Sequence, residues 1–202
     1  RVSGPAHPRH GQREITGMKK LAVFASGSGT NFEAIVESHI EGVEVALMVC
    51  DVHGAKVIDR AARLGIKSLV VSPRECGSKA EYEKRVLEVL HQEHIDFICL
   101  AGYMRIVGEL LYNAYKDRIL NIHPALLPSF KGAHAIDDAF NFGVKVYGVT
   151  VHLIDLTVDG GVILGQRAFE YHGNDRDEVE AKIHEIEHVL YPETIKEFIK
   201  TL

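Results

Sequence analysis

Residues 21–31 read LAVFASGSGTN, a continuous apolar run followed by two glycines in a short polar loop. An apolar run without alternation is typical of a strand that is buried on both faces of a sheet. Glycine lets the backbone take positive φ and approach a ligand closely. Where such a loop opens a helix, the exposed N–H groups and the helix dipole favour an anion. The segment therefore predicts a strand–loop–helix unit that binds a phosphate.

The same alternation of short apolar runs and helical periods continues along the chain. Strands are predicted at 21–26, 43–50, 66–71, 96–100, 119–122, 145–154 and 162–169. Helices are predicted at 31–39, 55–64 and 78–94, with a closing helical region at 175–199 that Pro192 interrupts. This order predicts an α/β fold, a doubly wound and mainly parallel Rossmann-like sheet with a mixed C-terminal part.

The ends and the composition of the chain narrow the class of protein. Residues 1–17 have no apolar period, so we interpret them as a disordered or foreign extension, with a functional arm as the alternative. The net charge of −5 disfavours nucleic-acid binding, and no apolar run is long enough to span a membrane. Three cysteines without C-x-x-C spacing predict a reducing compartment, which is the cytoplasm.

The glycine loop alone leaves two alternatives open. The dinucleotide fingerprint would need a third glycine near Phe32, and a Walker lysine is also missing. A tight turn with Thr30 or Asn31 as the helix N-cap would explain the loop without a ligand. Asp51, at the end of the second strand, resembles the ribose-binding acid of dinucleotide folds and keeps a nucleotide-binding regulatory module open.

A polar pair ends the fifth strand. Asn121 and His123 are two residues apart, so their side chains point to the same side. An amide can donate to a developing oxyanion, and a histidine can exchange a proton with an attacking amine. Pro124 restricts His123 to extended backbone, and Asp159 in a glycine-rich turn is a candidate to stabilise the imidazolium. A histidine buried in the core without a catalytic role is the alternative.

Residues 184–188 read HEIEH, which fits the zinc-hydrolase pattern H-E-x-x-H. His184 and His188 would share a helical face, with Glu185 as the base. A third ligand is missing, since no further histidine follows and Pro192 is expected to break the helix before the next glutamates. This interpretation also leaves the glycine loop without a role, so no metal is expected.

Taken together, the motifs resemble the glycinamide ribonucleotide formyltransferase family, from about Met18 to about Pro192. The most specific stretch is Leu120–Pro128, LNIHPALLP. Supporting it are residues 26–31, 101–106 (AGYMRI), 148–152 (GVTVH) and 159–161 (DGG). The resemblance implies transfer of the formyl group of 10-formyltetrahydrofolate to the amine of glycinamide ribonucleotide. The products would be formylglycinamide ribonucleotide and tetrahydrofolate, on the de novo purine route to IMP.

The resemblance also implies roles for residues. Asn121 would hold the formyl oxygen as it becomes an oxyanion, His123 would assist proton movement, and Asp159 would stabilise the protonated histidine. The amine would attack the formyl carbon directly, without a covalent enzyme intermediate. The acceptor phosphate and ribose would be bound by Gly29, Thr30, Asn31 and Glu187. The folate would be bound by Lys79, Met104, Arg105, Ile106, Val107 and Asn121.

Two positions depart from the family pattern, and the acceptor stays open. Lys79 stands where many members carry arginine, and His184 where some carry lysine or glutamine near the phosphate. Methionyl-tRNA formyltransferases would add a C-terminal domain and a basic surface, whereas this chain is acidic and ends at Leu202. Formyltetrahydrofolate deformylases would add an N-terminal regulatory domain and differ at the histidine–proline step.

We therefore expect one formyltransferase domain over residues 18–202. Within it, 18–117 would be the phosphate-binding half and 118–202 the catalytic and folate-binding half. The expected partners are small-molecule substrates, with no nucleic acid and no membrane, and the chain is expected to be a monomer or a homodimer.

Overall fold

The structure, a computed structural model, describes residues 17–202. Its strands are β1 (Lys19–Ala25), β2 (Val43–Cys50), β3 (Ser68–Val70), β4 (Phe97–Leu100), β5 (Ile119–His123), β6 (Val146–Leu153) and β7 (Ile163–Glu170). Its helices are α1 (Thr30–Glu37), α2 (Lys56–Leu64), α3 (Lys79–Gln92), α4 (Glu109–Ala114), α5 (Ala135–Phe142) and α6 (Arg176–Phe198). Apart from Gly17, the proposed N-terminal extension lies outside the described residues.

All seven strands form one sheet in the order β3-β2-β1-β4-β5-β6-β7. Strands β1 to β5 pair in parallel, whereas β6 is antiparallel to β5 and β7 is antiparallel to β6. The predicted mainly parallel sheet with a mixed C-terminal part is thus confirmed. The strand order reverses between β1 and β4, and open α/β sheets bind ligands in the crevice beyond such a point.

The apolar run of β1 is continuous because helices cover both faces of the sheet. Leu21, Val23 and Ala25 belong to the apolar layer that also holds buried residues of α1, α2 and α6. Ala22 and Phe24 belong to the opposite layer, which holds buried residues of α3 and α4. Since alternate side chains enter opposite layers, every position from Leu21 to Ala25 must be apolar.

The predicted interruption of the last helix at Pro192 is wrong, because α6 runs through it as one helix of 23 residues. Proline removes one helical hydrogen bond and crowds the preceding turn. Here the neighbouring Tyr191 and Ile195 are fully buried, and the Tyr191 hydroxyl donates to the Leu100 carbonyl at 2.8 Å. Burial of this segment against the sheet offsets the local cost of the proline.

Two short helices fall in segments that showed no helical period. They are α4, which buries Leu111, and α5, which buries Ala135 and Ala139. The Leu127–Pro128 peptide bond between β5 and α5 is cis. Within residues 17–202, none of the helices has the length and the apolar character that crossing a membrane requires.

Candidate active site

Three of the segments that the sequence singled out meet at one edge of the sheet. They follow the carboxyl ends of β1, β4 and β5, which are neighbours or near neighbours in the sheet. The Ser26 N–H donates to the carbonyl of Gly102 at 3.0 Å, so the glycine loop and the loop after β4 are in direct contact. The predicted position at the crevice is therefore where the structure places these segments.

The glycine loop opens α1 without a side-chain cap. The N-cap position is held by Gly29 at φ 78°, and in the described structure no side chain accepts a hydrogen bond there. The alternative in which Thr30 or Asn31 caps the helix is therefore wrong. A Cβ atom on Gly29 would lie 2.5 Å from Val57 Cγ2, so only glycine fits between the loop and α2. The uncapped N–H groups of the first turn suit an anion.

Asn31 and Glu187, which are distant in the sequence, are in contact beside this loop. The Asn31 Nδ2 donates to Glu187 Oε2 at 3.5 Å, and Glu187 is only 5% exposed. His184 Nδ1 contacts the other oxygen of Glu187 at 2.5 Å. That hydrogen bond raises the pKa of His184, whereas burial lowers the pKa of His188.

Two buried polar atoms in this cluster have no hydrogen-bond partner among the described residues. They are Asn31 Oδ1 and His188 Nε2. Buried polar atoms are nearly always paired in folded proteins, and an unpaired one needs an explanation. Asn31 lies in the uncapped first turn of α1, where a polar ligand would give its Oδ1 a partner.

The polar pair lies at the carboxyl end of β5, and its two members have different partners. Asn121 is half-buried and His123 is 4% exposed. His123 Nε2 lies 2.8 Å from the carbonyl of Phe130, which can only accept, so Nε2 carries the proton of the neutral ring. His123 Nδ1 is thereby left as the basic nitrogen, and it faces Asp159 Oδ1 at 3.6 Å.

The loop that carries Asp159 is held in place at two points. Asp159 Oδ2 accepts from the backbone N–H of Gly132 at 2.6 Å, which leaves Oδ1 facing His123. Gly161 has φ 99°, and a Cβ there would lie 1.8 Å from the Leu153 carbonyl oxygen, so the turn requires glycine. The structure thus brings the predicted histidine and carboxylate together, although 36 positions separate them in the sequence.

Comparison with known proteins identifies a family for this chain. The sequence profile of the family described as Formyl transferase matches residues 19–195. The chain belongs to the formyl transferase family.

Relatives of this formyl transferase include proteins named for glycinamide ribonucleotide and for purine biosynthesis. The phosphoribosylglycinamide formyltransferase of Bacillus subtilis (strain 168) is 46% identical over 186 residues, which are 90% of this chain and 95% of that protein. The trifunctional purine biosynthetic protein adenosine-3 of Gallus gallus is 37% identical over 90% of this chain but only 18% of its own length. The crystal structure of glycinamide ribonucleotide transformylase 1 from Geobacillus kaustophilus has a TM-score of 0.87 at 47% identity, covering 90% and 99% of the two chains.

Sequence analysis did not single out His152, which orients Asn121 in this formyl transferase. The two residues are directly paired between β5 and β6. His152 Nδ1 donates to the carbonyl of Gly160 at 2.8 Å, so its Nε2 is free to accept from Asn121 Nδ2 at 3.2 Å. The stretch GVTVH ends in His152, but the pairing of β5 with β6 that brings this residue to Asn121 is not visible in the sequence.

We expect His152 to make the formyl transferase less stable in acid. Burial lowers the pKa of His152, and the nearby Asp159 carboxylate opposes this shift only in part. Below the usual histidine pKa of about 6.5 the unfolded chain therefore binds a proton that the folded state does not. The free energy of unfolding should fall from pH 7 to pH 5 because of this residue.

Urea unfolding of a His152→Gln variant at several pH values within this range measures the contribution. The variant should show a shallower decrease in the free energy of unfolding than the unmodified protein. His172→Gln, at an exposed position, is the control. An unchanged slope in His152→Gln would contradict the assignment.

The loop after β4 has unusually exposed apolar side chains. Met104 and Ile106 are 75% and 68% exposed, whereas Val107 is buried in the core. Lys79, at the start of α3, is exposed and lies beside Gly108 at the end of the same loop. Exposed apolar side chains at the rim of a crevice are typical of a binding surface.

Neither alternative function gains support from the positions of its residues. Asp51 is engaged by Ser26 and Arg105, so its carboxylate is not directed at a ribose. Glu185 is exposed and lies 3.8 Å from Lys182. Over residues 17–202, no group of three His, Cys, Asp or Glu side chains is arranged to hold a metal ion. The expectation that a helix break at Pro192 separates the two histidines from the next glutamates is wrong, because α6 is continuous.

Proposed function

We propose that this formyl transferase moves the formyl group of 10-formyltetrahydrofolate to the amine of glycinamide ribonucleotide. The products are formylglycinamide ribonucleotide and tetrahydrofolate, in de novo purine synthesis. The observation that carries the proposal is the pairing of His123 with Asp159 at the carboxyl end of β5, the strand that also carries Asn121. The names of the relatives support the same acceptor.

The acceptor is bound where the glycine loop faces α6. The phosphate is held by N–H groups at Gly29, Thr30 and Asn31, where the helix dipole adds to the attraction. The carboxylate of Glu187 accepts from the ribose hydroxyl groups. Asn31 Oδ1, which has no partner among the described residues, gains one from the bound acceptor.

The donor lies against the loop after β4. Met104 and Ile106 offer apolar surface to a flat ring system. Arg105 lies on the same loop, and Lys79 lies beside Gly108 at the end of that loop. Val107 is buried in the core beneath this loop and supports it. The residues present therefore fit a folate, which combines an aromatic ring system with polar edges.

The amine of the acceptor attacks the formyl carbon, and the carbonyl oxygen takes up negative charge. Asn121 Nδ2 has two hydrogens, of which one is used by His152, so the second can bind this oxyanion. His123 Nδ1 accepts the proton that the amine loses and returns it to the leaving nitrogen of the donor. Asp159 stabilises the imidazolium between the two steps.

The proposal also concerns the cellular compartment, the partners and the oligomeric state of the protein. The three cysteines are free, which suits the reducing cytoplasm. Both partners are small molecules, and a monomeric or homodimeric state stays a prediction. The division into a phosphate-binding half (18–117) and a catalytic and folate-binding half (118–202) also stays a prediction.

The decisive experiment is formyl transfer by the purified protein with both substrates, followed by the absorbance of the deformylated folate. One control omits the acceptor, and a parallel sample contains a zinc chelator. Acceptor-dependent turnover that resists the chelator is the expected result. Turnover without acceptor would instead indicate a hydrolytic deformylase. Loss of turnover in the presence of the chelator would support the zinc-hydrolase alternative.

We expect Glu187→Gln to raise KM for glycinamide ribonucleotide by about tenfold while KM for the donor changes little. A hydrogen bond to a charged group contributes about 1.5–3 kcal/mol, and the amide can accept at only one of two positions. Glu185→Gln, on the exposed side of the same helix, is the matched control. Equal changes in both KM values would show that Glu187 does not act on the acceptor specifically.

A further inference from the structure

A buried polar chain links the glycine loop to the loop after β4. The Ser26 hydroxyl donates to Asp51 Oδ1 at 2.5 Å and accepts from the backbone N–H of Met104 at 2.8 Å. The other carboxylate oxygen, Asp51 Oδ2, accepts from Arg105 Nε at 2.9 Å. Two successive residues of the donor-binding loop are therefore held by one serine and one aspartate.

The burial of this chain makes it more than a surface contact. Asp51 is 3% exposed, and Ser26 is also buried. A buried carboxylate is costly unless its oxygens are paired. Both oxygens of Asp51 are paired, and both partners lead to the loop after β4, directly through Arg105 or through Ser26.

The far end of the same loop is held independently. The backbone N–H of Gly108 donates to Glu83 Oε2 at 2.8 Å, and Glu83 is buried. Tyr103 packs edge-to-face on Phe24 of β1, with ring centroids 5.4 Å apart. Between these anchors, only the Ser26–Asp51 chain holds the exposed Met104 and the Arg105 side chain among the described hydrogen bonds.

We propose that Ser26 and Asp51 are positioning residues that set the shape of the donor-binding loop through Met104 and Arg105. The inference rests on the proposed function, in which this loop binds the folate donor. Because Ser26 directly precedes Gly27, the hydroxyl that holds the donor loop also stands at the start of the acceptor phosphate loop. The hydrogen-bond chain thus supports the donor-binding loop from behind, without contacting substrate.

The test uses Asp51→Asn, which keeps the side-chain volume but replaces one acceptor oxygen by a donor. The amide lacks the negative charge that holds the Arg105 guanidinium, and its Nδ2 can only donate, so Ser26 can no longer donate to that position. We expect KM for 10-formyltetrahydrofolate to rise about tenfold, with kcat and the acceptor KM within about threefold of the unmodified protein. Ser26→Ala should give the same pattern, and the double variant should cost less than the sum of the two, because both act through one chain.

Asp96→Asn is the matched control. Asp96 Oδ2 accepts from the backbone N–H of Lys20 at 2.8 Å, at the opposite end of the sheet from the crevice. It should leave both KM values unchanged. If Asp51→Asn leaves the donor KM unchanged, or raises both KM values equally, the positioning role is overturned.

Hydrogen exchange separates this inference from the proposed function, since it needs no substrate. In Ser26→Ala and Asp51→Asn, amide exchange in residues 102–108 should become faster, while exchange in β1 and β4 stays as in the unmodified protein. Unchanged exchange in 102–108 would overturn the positioning role even in an active enzyme. If the unmodified protein fails to transfer formyl groups but the exchange result holds, the proposed function fails and the structural link stands.

Discussion

Replacing His123 by alanine is expected to lower kcat by about 10²–10⁴-fold, the usual contribution of a general acid–base residue. His123 Nε2 is engaged by the carbonyl of Phe130, so proton transfer depends on Nδ1, which Asp159 faces. Alanine removes this nitrogen but leaves the glycine loop and Glu187 in place. The acceptor KM should therefore change by no more than a few fold.

Steady-state kinetics of His123→Ala with both substrates measure this effect. His172→Ala is the control, because it removes an exposed imidazole whose neighbour is the exposed Glu170 rather than Asp159. Thermal unfolding and circular dichroism establish that each variant is folded. Turnover of folded His123→Ala close to that of the unmodified protein would exclude the proton-transfer role.

The second large effect is expected from Asn121→Ala, with a fall in kcat of about 10²–10³-fold, as for the loss of an oxyanion donor. The amide acts mainly in the transition state, when the formyl oxygen becomes negative, so neither KM should change much. His152 holds the amide through Nε2, which reduces the cost of orienting it during the reaction.

Kinetics of Asn121→Ala and of Asn121→Asp separate the effect of side-chain charge at this position on kcat from the effect of side-chain volume. The aspartate has almost the same volume but places a negative oxygen where the oxyanion forms, so it should be at least as slow as alanine. Asn141→Ala, in an exposed position of α5, is the control. A rise in KM with unchanged kcat would show that Asn121 only binds substrate.

The order and type of the main elements could be predicted because the central strands, such as β1 and β4, are covered on both faces. Strand β2 was predicted with its observed bounds, since Val43–Cys50 is apolar at every position except Glu44. The helices α4 and α5 were missed, because the burial of Leu111 or Ala139 depends on neighbours distant in the chain. Pro192 was misjudged for the same reason, as the packing around it outweighs the local preference of proline.

Much of the candidate site could also be predicted, because short motifs place their residues locally. Asn121 and His123 share one side of β5 through the two-residue period of a strand. Their partners could not be predicted from that period. His152 meets Asn121 only because β6 runs antiparallel to β5 in one particular register.

The amino-acid sequence was sufficient for the α/β class, the glycine loop at a helix start and the polar pair at the end of β5. Each of these depends on spacing over a few residues. The contacts of Asp159 with His123, of Glu187 with Asn31 and of Asp51 with Arg105 needed the folded chain. These pairs are distant in sequence, and they meet because the reversal of strand order between β1 and β4 directs separate loops into one crevice.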